Sequence, residues 1–137
     1  MKILSNISEG THENAITKVA SVAISQRHLL VTFDQLNSDQ IKICSSTDIP
    51  FGVVSDEAGI GDIVNVDLLG CAYTIKILAQ EKISAGDLIT IGDDGKVIPM
   101  PTTAGAYTCI GIALSSANAG ACAEILTSTP SKYSVDA

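Results

Sequence analysis

The feature that most constrains this chain is a phrase of sequence that is used twice. Residues 50–70, PFGVVSDEAGIGDIVNVDLLG, return 59 positions later in the form GIALSSANAGACAEIL at residues 111–126. In both copies a glycine opens a short apolar run, a loop of small residues follows, and a second glycine leads into an alternating strand. We therefore predict one structural unit that occurs twice. The matched pairs are Gly52 with Gly111, Ala58 with Ala117, Gly61 with Gly120, and Val66 with Ile125.

A related phrase lies between the two copies. Residues 83–91, ISAGDLITI, end in the same order of glycine, aspartate and alternating apolar residues as residues 61–66, GDIVNV. Strand-like runs recur about every 8–12 residues with glycine-rich turns between them, which is typical of all-β barrels and sandwiches. The predicted fold is a small all-β barrel or sandwich of short antiparallel strands with an internal pseudo-repeat, of the β-tulip or β-clip kind. The predicted strands are residues 29–33, 41–44, 49–54, 62–69, 71–77, 88–91, 97–98, 107–114 and 122–127.

Glycines punctuate these strands, and we expect them to act as turn residues. The clearest turn is Asp94-Gly95, which lies between Ile89/Ile91 and Val97/Ile98 and predicts a tight hairpin with both central residues at positive φ. The predicted structural turn glycines are Gly52, Gly61, Gly70, Gly86, Gly95, Gly111 and Gly120.

The two ends of the chain lack this strand pattern. Residues 16–24 fit two patterns equally, because Ile16, Val19 and Ala20 have helical spacing while Val22 and Ile24 continue an alternation. We predict an N-terminal arm over residues 1–24 that docks on a partner, a β domain over residues 25–128, and a polar, flexible tail over residues 129–137.

The composition favours association with other subunits. Hydrophobic residues make up 46% of the 137 residues, but aromatics only 4% and Trp is absent, so the core must be aliphatic. A short chain with this much aliphatic surface is expected to hide part of it against another subunit. The formal net charge of −7, with no basic cluster, argues against direct binding of nucleic acid.

The sequence predicts no membrane partner. No apolar run approaches the roughly 20 residues that span a bilayer. The N-terminus, MKILSNISEGTHENAITK, lacks the apolar stretch of a signal peptide, so we expect synthesis in the cytosol.

The four cysteines give no metal motif. Cys44, Cys71, Cys109 and Cys122 contain no CxxC or CxxH spacing, so a structural zinc site has no support. Their even number permits two disulfides, but each lies in an apolar or strand-like run. We expect small buried hydrophobes with free thiols.

Other candidate sites are better explained by turns and a solvated face. Asp93-Asp94-Gly95 lacks the later ligands of a calcium loop. Gly59-Ile60-Gly61 is followed by a strand and by no lysine, unlike a phosphate-binding loop. His12 and His28 are the only imidazoles, and no Gly-x-Ser-x-Gly motif is present. We predict no catalytic residue, no metal site, no cofactor and no enzymatic activity.

Five phrases in a fixed order resemble a known family. They are IPFGVV at residues 49–54, GDIVNV at 61–66, AGDLI at 85–89, DGKV at 94–97 and GIAL at 111–114. The chain from about residue 29 to residue 126 resembles the small capsid decoration proteins of tailed phages, also called head-stabilising or cement proteins. It departs from their pattern at Ala121, where an aspartate would complete the second Gly-Asp pair, and the arm matches nothing in the family.

The resemblance implies a non-enzymatic virion protein that binds the outside of an assembled phage capsid, commonly as a homotrimer, and stabilises the shell. Its partners would be the major capsid protein and copies of itself. Two alternatives stay open. The turn at residues 83–87 is also similar to those of β-clip domains, which would make the chain a ligand-binding or accessory enzyme domain. The chain could otherwise be a fibre-base or baseplate module of the same virion.

Overall fold

The computed structural model describes residues 14–34, 37–71 and 73–136. Over these residues the regular secondary structure is entirely β, which confirms the predicted fold class. None of the described residues forms a helix that could cross a membrane. The strands are β1 (Ala15–Ala20), β2 (Leu29–Asp34), β3 (Asn37–Ile43), β4 (Gly52–Val54), β5 (Ile63–Leu68), β6 (Thr74–Leu78), β7 (Leu88–Ile91), β8 (Val97–Pro99), β9 (Gly105–Ala113) and β10 (Cys122–Val135).

The first five strands form a closed barrel in the order β1-β3-β2-β4-β5. β1 closes it, because it runs antiparallel to β5 and pairs in parallel with β3 through Ala20 and Ile41. β5 alternates as its sequence predicts, with Val64 and Val66 buried and Asn65 exposed. The barrel interior is aliphatic and contains Ala20, Ile24, Leu29, Val31, Ile41, Val54, Val64 and Val66.

The last five strands form a sheet in the order β6-β10-β9-β7-β8. A single parallel bridge between Ala79 and Val97 joins its two edges, so this sheet also curls toward closure. Its inner face carries Ile75, Ile77, Ile83, Ile89, Ile91, Ile110, Ala113, Ala123 and Ile125.

The two units repeat one arrangement of strands at an offset of 59 residues, with a one-residue shift where β7 pairs with β9 in place of β2 with β4. Residues 15–68 form the first unit and residues 74–127 the second, so the repeat is longer than the phrase in which the sequence displays it. Backbone contacts outside the quoted phrases coincide as well, because β1 and β6 occupy equivalent places. The bridge between Ile24 and Ala58 recurs between Ile83 and Ala117, and the hydrogen bond from Gly61 N to Ala20 O (2.8 Å) recurs from Gly120 N to Ala79 O (2.9 Å).

The units pack face to face. Leu30, Cys44 and Val53 lie on the outside of the first barrel and are fully buried in the core of the second unit. The β7–β8 hairpin adds backbone hydrogen bonds, because Gly95 N donates to Cys44 O and Leu30 N donates to Gly95 O, each at 2.8 Å. The apolar contact and the hairpin therefore hold the two units together.

The predicted Asp94-Gly95 turn is confirmed. Asp94 has φ 54° and Gly95 has φ 76°, and Lys96 N donates to Asp93 O at 3.1 Å. These are the features of a two-residue hairpin turn whose twist matches that of the flanking strands.

The structure corrects the predicted boundary of the N-terminal arm. Residues 15–20 are β1, and Ile24 lies in the barrel core, so these residues belong to the β domain. The pairing of β1 with β5 decides between the two patterns that the sequence left open, because it fixes an extended backbone. Residues 1–13 of the predicted arm lie outside the described residues.

The structure also corrects the predicted flexible tail. β10 continues to Val135 and pairs with the start of β9, from Ser131 opposite Cys109 to Val135 opposite Gly105. The register shifts between Thr127 and Ser131, around Pro130, whose missing amide suits an irregularity of the ladder. Polar side chains do not prevent this pairing, because the ladder is made by the backbone.

Candidate functional site

The predicted turn glycines are spread over both units and do not gather at one site. Gly52 lies at the start of β4, against β5, and its φ is outside the left-handed region. A side chain at Gly52 would overlap Val66, and one at Gly111 would overlap the carbonyl oxygen of Leu126, so both positions allow close approach of two strands. The other six predicted turn glycines, Gly61, Gly70, Gly86, Gly95, Gly111 and Gly120, have positive φ.

The side chains weighed for chemistry are also dispersed. Asp93 belongs to the hairpin turn, where its amide donates to Gln80 Oε1 at 2.7 Å and its carboxylate accepts from Gln80 Nε2 at 3.3 Å. The residues that the structure describes contain no group of three or more His, Cys, Asp or Glu side chains that could hold a metal ion. His28 has φ 64° at the start of β2, and His12 lies outside the described residues.

The thiols are free, and they differ in burial. Cys44 is fully buried between the units, whereas Cys71, Cys109 and Cys122 are half-buried. Burial, with a smaller contribution from the Asp48 carboxylate, raises the pKa of Cys44 to about 12. Cys44 is therefore a packing residue that stays protonated at neutral pH.

A small polar cleft lies where the two units meet. Its volume is about 250 Å³, and its polar lining comes from His28, Asp67, Tyr73 and Lys76 together with Asn14 and Ser55. Partial burial raises the pKa of Asp67, while the nearby imidazole of His28 acts in the opposite direction. The cleft is near the lower limit of small-molecule sites. Sequence reasoning missed it, because these residues come from separate strands and only their register brings them together.

An aromatic and cationic contact lies at one end of the first barrel, where Phe51 packs against the barrel core and Lys18 is 5% exposed. The rings of Phe33 and Phe51 stack with centroids 4.1 Å apart, and Lys18 Nζ lies 5.5 Å from the centroid of Phe33. Lys18 Nζ also donates to Ser38 O at 3.0 Å. Phe33 is 40% exposed, so this stack presents an aromatic edge at the surface.

A row of apolar side chains lies on the outer face of the second sheet. Leu88, Ile112 and Leu126 are opposite one another across β7, β9 and β10 and form a row. Leu126 is 42% exposed, and the other two are half-buried. A shallow groove of about 630 Å³ follows this row, and its remaining lining is Gly70, Cys109, Gly111, Thr127, Ser128 and Thr129. A face of this kind suits another protein surface better than a small polar ligand.

Comparison with known proteins identifies relatives among phage head proteins. The phage cement protein family matches residues 9–127. The capsid fiber protein of Bacillus phage B103 is 31% identical over 115 residues, which are 84% of this chain and 39% of that protein. The head fiber protein of Bacillus phage Nf is 30% identical over 115 residues, which are 84% of this chain and 43% of that protein. The chain thus spans about two fifths of the length of the curated relatives it matches.

A solved structure agrees with the fold. The crystal structure of the head fiber gp8.5 N base of bacteriophage phi29 matches 84% of this chain and 93% of its own, with a TM-score of 0.67 and 22% identity. At this identity the similarity concerns the fold. The family match, in contrast, extends over most of the sequence and includes all five phrases on which the resemblance depends. The chain belongs to the phage cement protein family.

Proposed function

We propose that this chain is a structural virion protein that binds the outer surface of an assembled phage head and stabilises the shell. The family match over residues 9–127 is the observation that carries the proposal. The names of the relatives support it, since they describe capsid and head fibre proteins. The partner is the major capsid protein, and the role requires no reacting group.

The mechanism is stabilisation by mass action. A protein that binds only the assembled, expanded shell lowers the free energy of that state at every occupied site. One site occupied at a concentration of 100 times Kd contributes about 2.7 kcal/mol, and the contributions add over the lattice. The barrel and the curled sheet packed on it suit this role, because a body with two aliphatic cores and backbone hydrogen bonds between its units does not have to order itself on binding.

We further propose that the chain acts as a homotrimer. The apolar row of Leu88, Ile112 and Leu126 supports association, because monomeric proteins seldom leave such a face uncovered. In a trimer each copy of the chain would bind the shell weakly, while the three copies together would bind it tightly.

The test uses phage heads that lack this protein. Purified chain is added to expanded heads, binding is measured by co-sedimentation, and the temperature of head disruption is followed by release of the packaged DNA. We expect saturable binding and a higher disruption temperature, with no binding to unexpanded shells as the matched control. Absence of binding, or equal disruption temperatures with and without the protein, would refute the stabiliser role.

The base of a head fibre is a second candidate, favoured by one observation. The solved structure that shares the fold is the N base of a head fibre, and the curated relatives are more than twice as long as the region matched here. Quantitative mass spectrometry of purified particles separates the two roles. A copy number that matches the capsid lattice indicates decoration, whereas a few copies per particle indicate a fibre base.

A further inference from the structure

The internal repeat allows the same surface to be compared in two surroundings. In the first unit Leu30 pairs with Val53, and Val53 pairs with Asp67. In the second unit Leu88 pairs with Ile112, and Ile112 pairs with Leu126. Ile112 and Leu126 are 59 positions after Val53 and Asp67, and Leu88 takes the place of Leu30 through a one-residue shift in register. The two rows therefore occupy equivalent positions on the outer faces of the two units.

The equivalent rows differ in what covers them. Leu30 and Val53 are 0% exposed, because the second unit packs over them. On the second unit the row stays partly exposed, because Leu126 is 42% exposed and Leu88 and Ile112 are only half-buried. The same outer face is therefore buried on the first unit, where the second unit packs against it, and open on the second unit.

The residue at the edge of the row also differs between the units. The first unit has the charged Asp67 at this position, next to the polar cleft, whereas the second unit has Leu126. The uncovered face is therefore more apolar than the covered one. An exposed leucine at an outward position of β10 is unfavourable in a free subunit, and its burial in an interface removes that cost.

The charges favour a second copy of this chain as the occupant. The chain has a net charge of −7, so copies repel one another except where they meet through an uncharged surface. The lining of the groove contains no charged side chain. Glu124 and Lys76 lie opposite each other beside the row and give it a polar rim, the arrangement that protein interfaces show.

We propose that the outer face around Leu88, Ile112 and Leu126 is the surface through which copies of this chain associate. The proposal rests on the self-association included in the proposed function, and it names the residues that carry it. A second copy covers the row with an outer face, because the inner face of its second unit is already filled by its own Leu30, Cys44 and Val53.

The decisive variant is Leu126→Asp, which installs in the second unit the residue that the first unit already has at the equivalent position. The sheet accommodates an aspartate there, so the variant is expected to fold. Ile112→Thr is a second variant that keeps a β-branched side chain in β9. Ile60→Asp is the matched control, since Ile60 is 74% exposed on a loop of the first unit, outside the row.

Sedimentation velocity over a concentration series measures the association, and circular dichroism checks the fold. We expect the original chain and Ile60→Asp to form the same oligomer, and Leu126→Asp and Ile112→Thr to weaken it by about 10- to 100-fold in Kd per contact. A monomeric original chain, or an unchanged oligomer in both row variants, would overturn the proposal. Binding to phage heads is measured separately. If the oligomer depends on the row but does not bind heads, only the proposed function is refuted. If the chain binds heads but its association is unchanged by the row variants, only this inference is refuted.

Discussion

Two glycines of the first unit serve different physical needs, and alanine substitution separates them. At Gly52 a Cβ would overlap Val66 Cγ1 and lie 2.6 Å from the carbonyl oxygen of Asp67, while the backbone is outside the left-handed region. At Gly61 a Cβ would meet nothing within 4 Å, but φ is +88°. Gly52→Ala thus adds volume where β4 and β5 meet, and Gly61→Ala adds backbone strain alone.

The two costs follow from these environments. Extra volume in a packed interior costs about 1–3 kcal/mol, and the upper part of that range applies at Gly52 because a backbone carbonyl cannot rotate away. Alanine also lowers the conformational entropy of the unfolded chain, which stabilises the folded state by about 0.5 kcal/mol. We therefore expect Gly52→Ala to lower the free energy of unfolding by about 1.5–2.5 kcal/mol. Gly61→Ala should lose about 1 kcal/mol, since an alanine in the left-handed region costs about 1–2 kcal/mol before the same entropic return.

Thermal and urea unfolding at one fixed protein concentration measure the difference. For a chain of this length the losses correspond to about 5–8 °C in Tm for Gly52→Ala and about 3 °C for Gly61→Ala. The repeat supplies a matched pair of controls. Gly111→Ala should resemble or exceed Gly52→Ala, because its Cβ would overlap the Leu126 carbonyl oxygen at φ +155°, and Gly120→Ala should resemble Gly61→Ala, with open space at φ +87°.

Equal losses for Gly52→Ala and Gly61→Ala would refute this reasoning. A neutral Gly52→Ala would show that β4 and β5 are farther apart than the structure has them. A Gly111→Ala loss much smaller than that of Gly52→Ala would show that the two units are not equivalent at this contact.

Three further predictions concern the junction of the units and its ionisable groups. Gly95→Ala should cost about 2–4 kcal/mol in urea unfolding, because its Cβ would lie 2.8 Å from Leu30 O at φ +76°, and a loss below that of Gly86→Ala, which has open space, would contradict it. The Cys44 thiol should react with an aromatic disulfide reagent at pH 8 about a thousandfold more slowly than an ordinary cysteine, since a pKa of about 12 leaves little thiolate, and rapid labelling of all four cysteines in the folded chain would contradict it. Asp67→Asn should raise the free energy of unfolding at neutral pH and have little effect in acid. The pKa of Asp67 is raised in the folded chain, so the protonated carboxyl favours folding. That contribution is lost as pH rises through the range in which the carboxyl ionises. Equal effects of this substitution at both pH values would count against the burial of its charge.

The sequence predicted the parts of the fold that depend on local chemistry. The Asp94-Gly95 hairpin and the alternation of β5 follow from residues next to one another in the chain, and the structure has both. The repeat was visible in its second half, where glycines at strand contacts cannot vary freely. The first half of the repeat is not evident in the sequence, because β1 and β6 need only alternating apolar residues. The identical pairs between these two segments are Ile16 with Ile75 and Ala20 with Ala79.

The parts that the sequence misplaced depend on pairing between distant strands. The sequence predicts an arm at β1 because its alternation is short and ambiguous, and only its register with β5 shows that it closes the barrel. The polar sequence of residues 131–135 predicts a flexible tail, yet backbone pairing with β9 does not require apolar side chains. The polar cleft and the apolar row each combine residues from several strands, so neither could be assembled from the linear pattern.

The measurement that tests the central claim most directly is a cryo-electron microscopy reconstruction of the intact phage particle that contains this chain. We predict density that fits the barrel and the curled sheet on the outer surface of the capsid, in contact with the major capsid protein, with neighbouring copies meeting through the face around Leu126. A particle whose outer shell carries no such density, with the chain located inside the head or absent from it, would contradict the account.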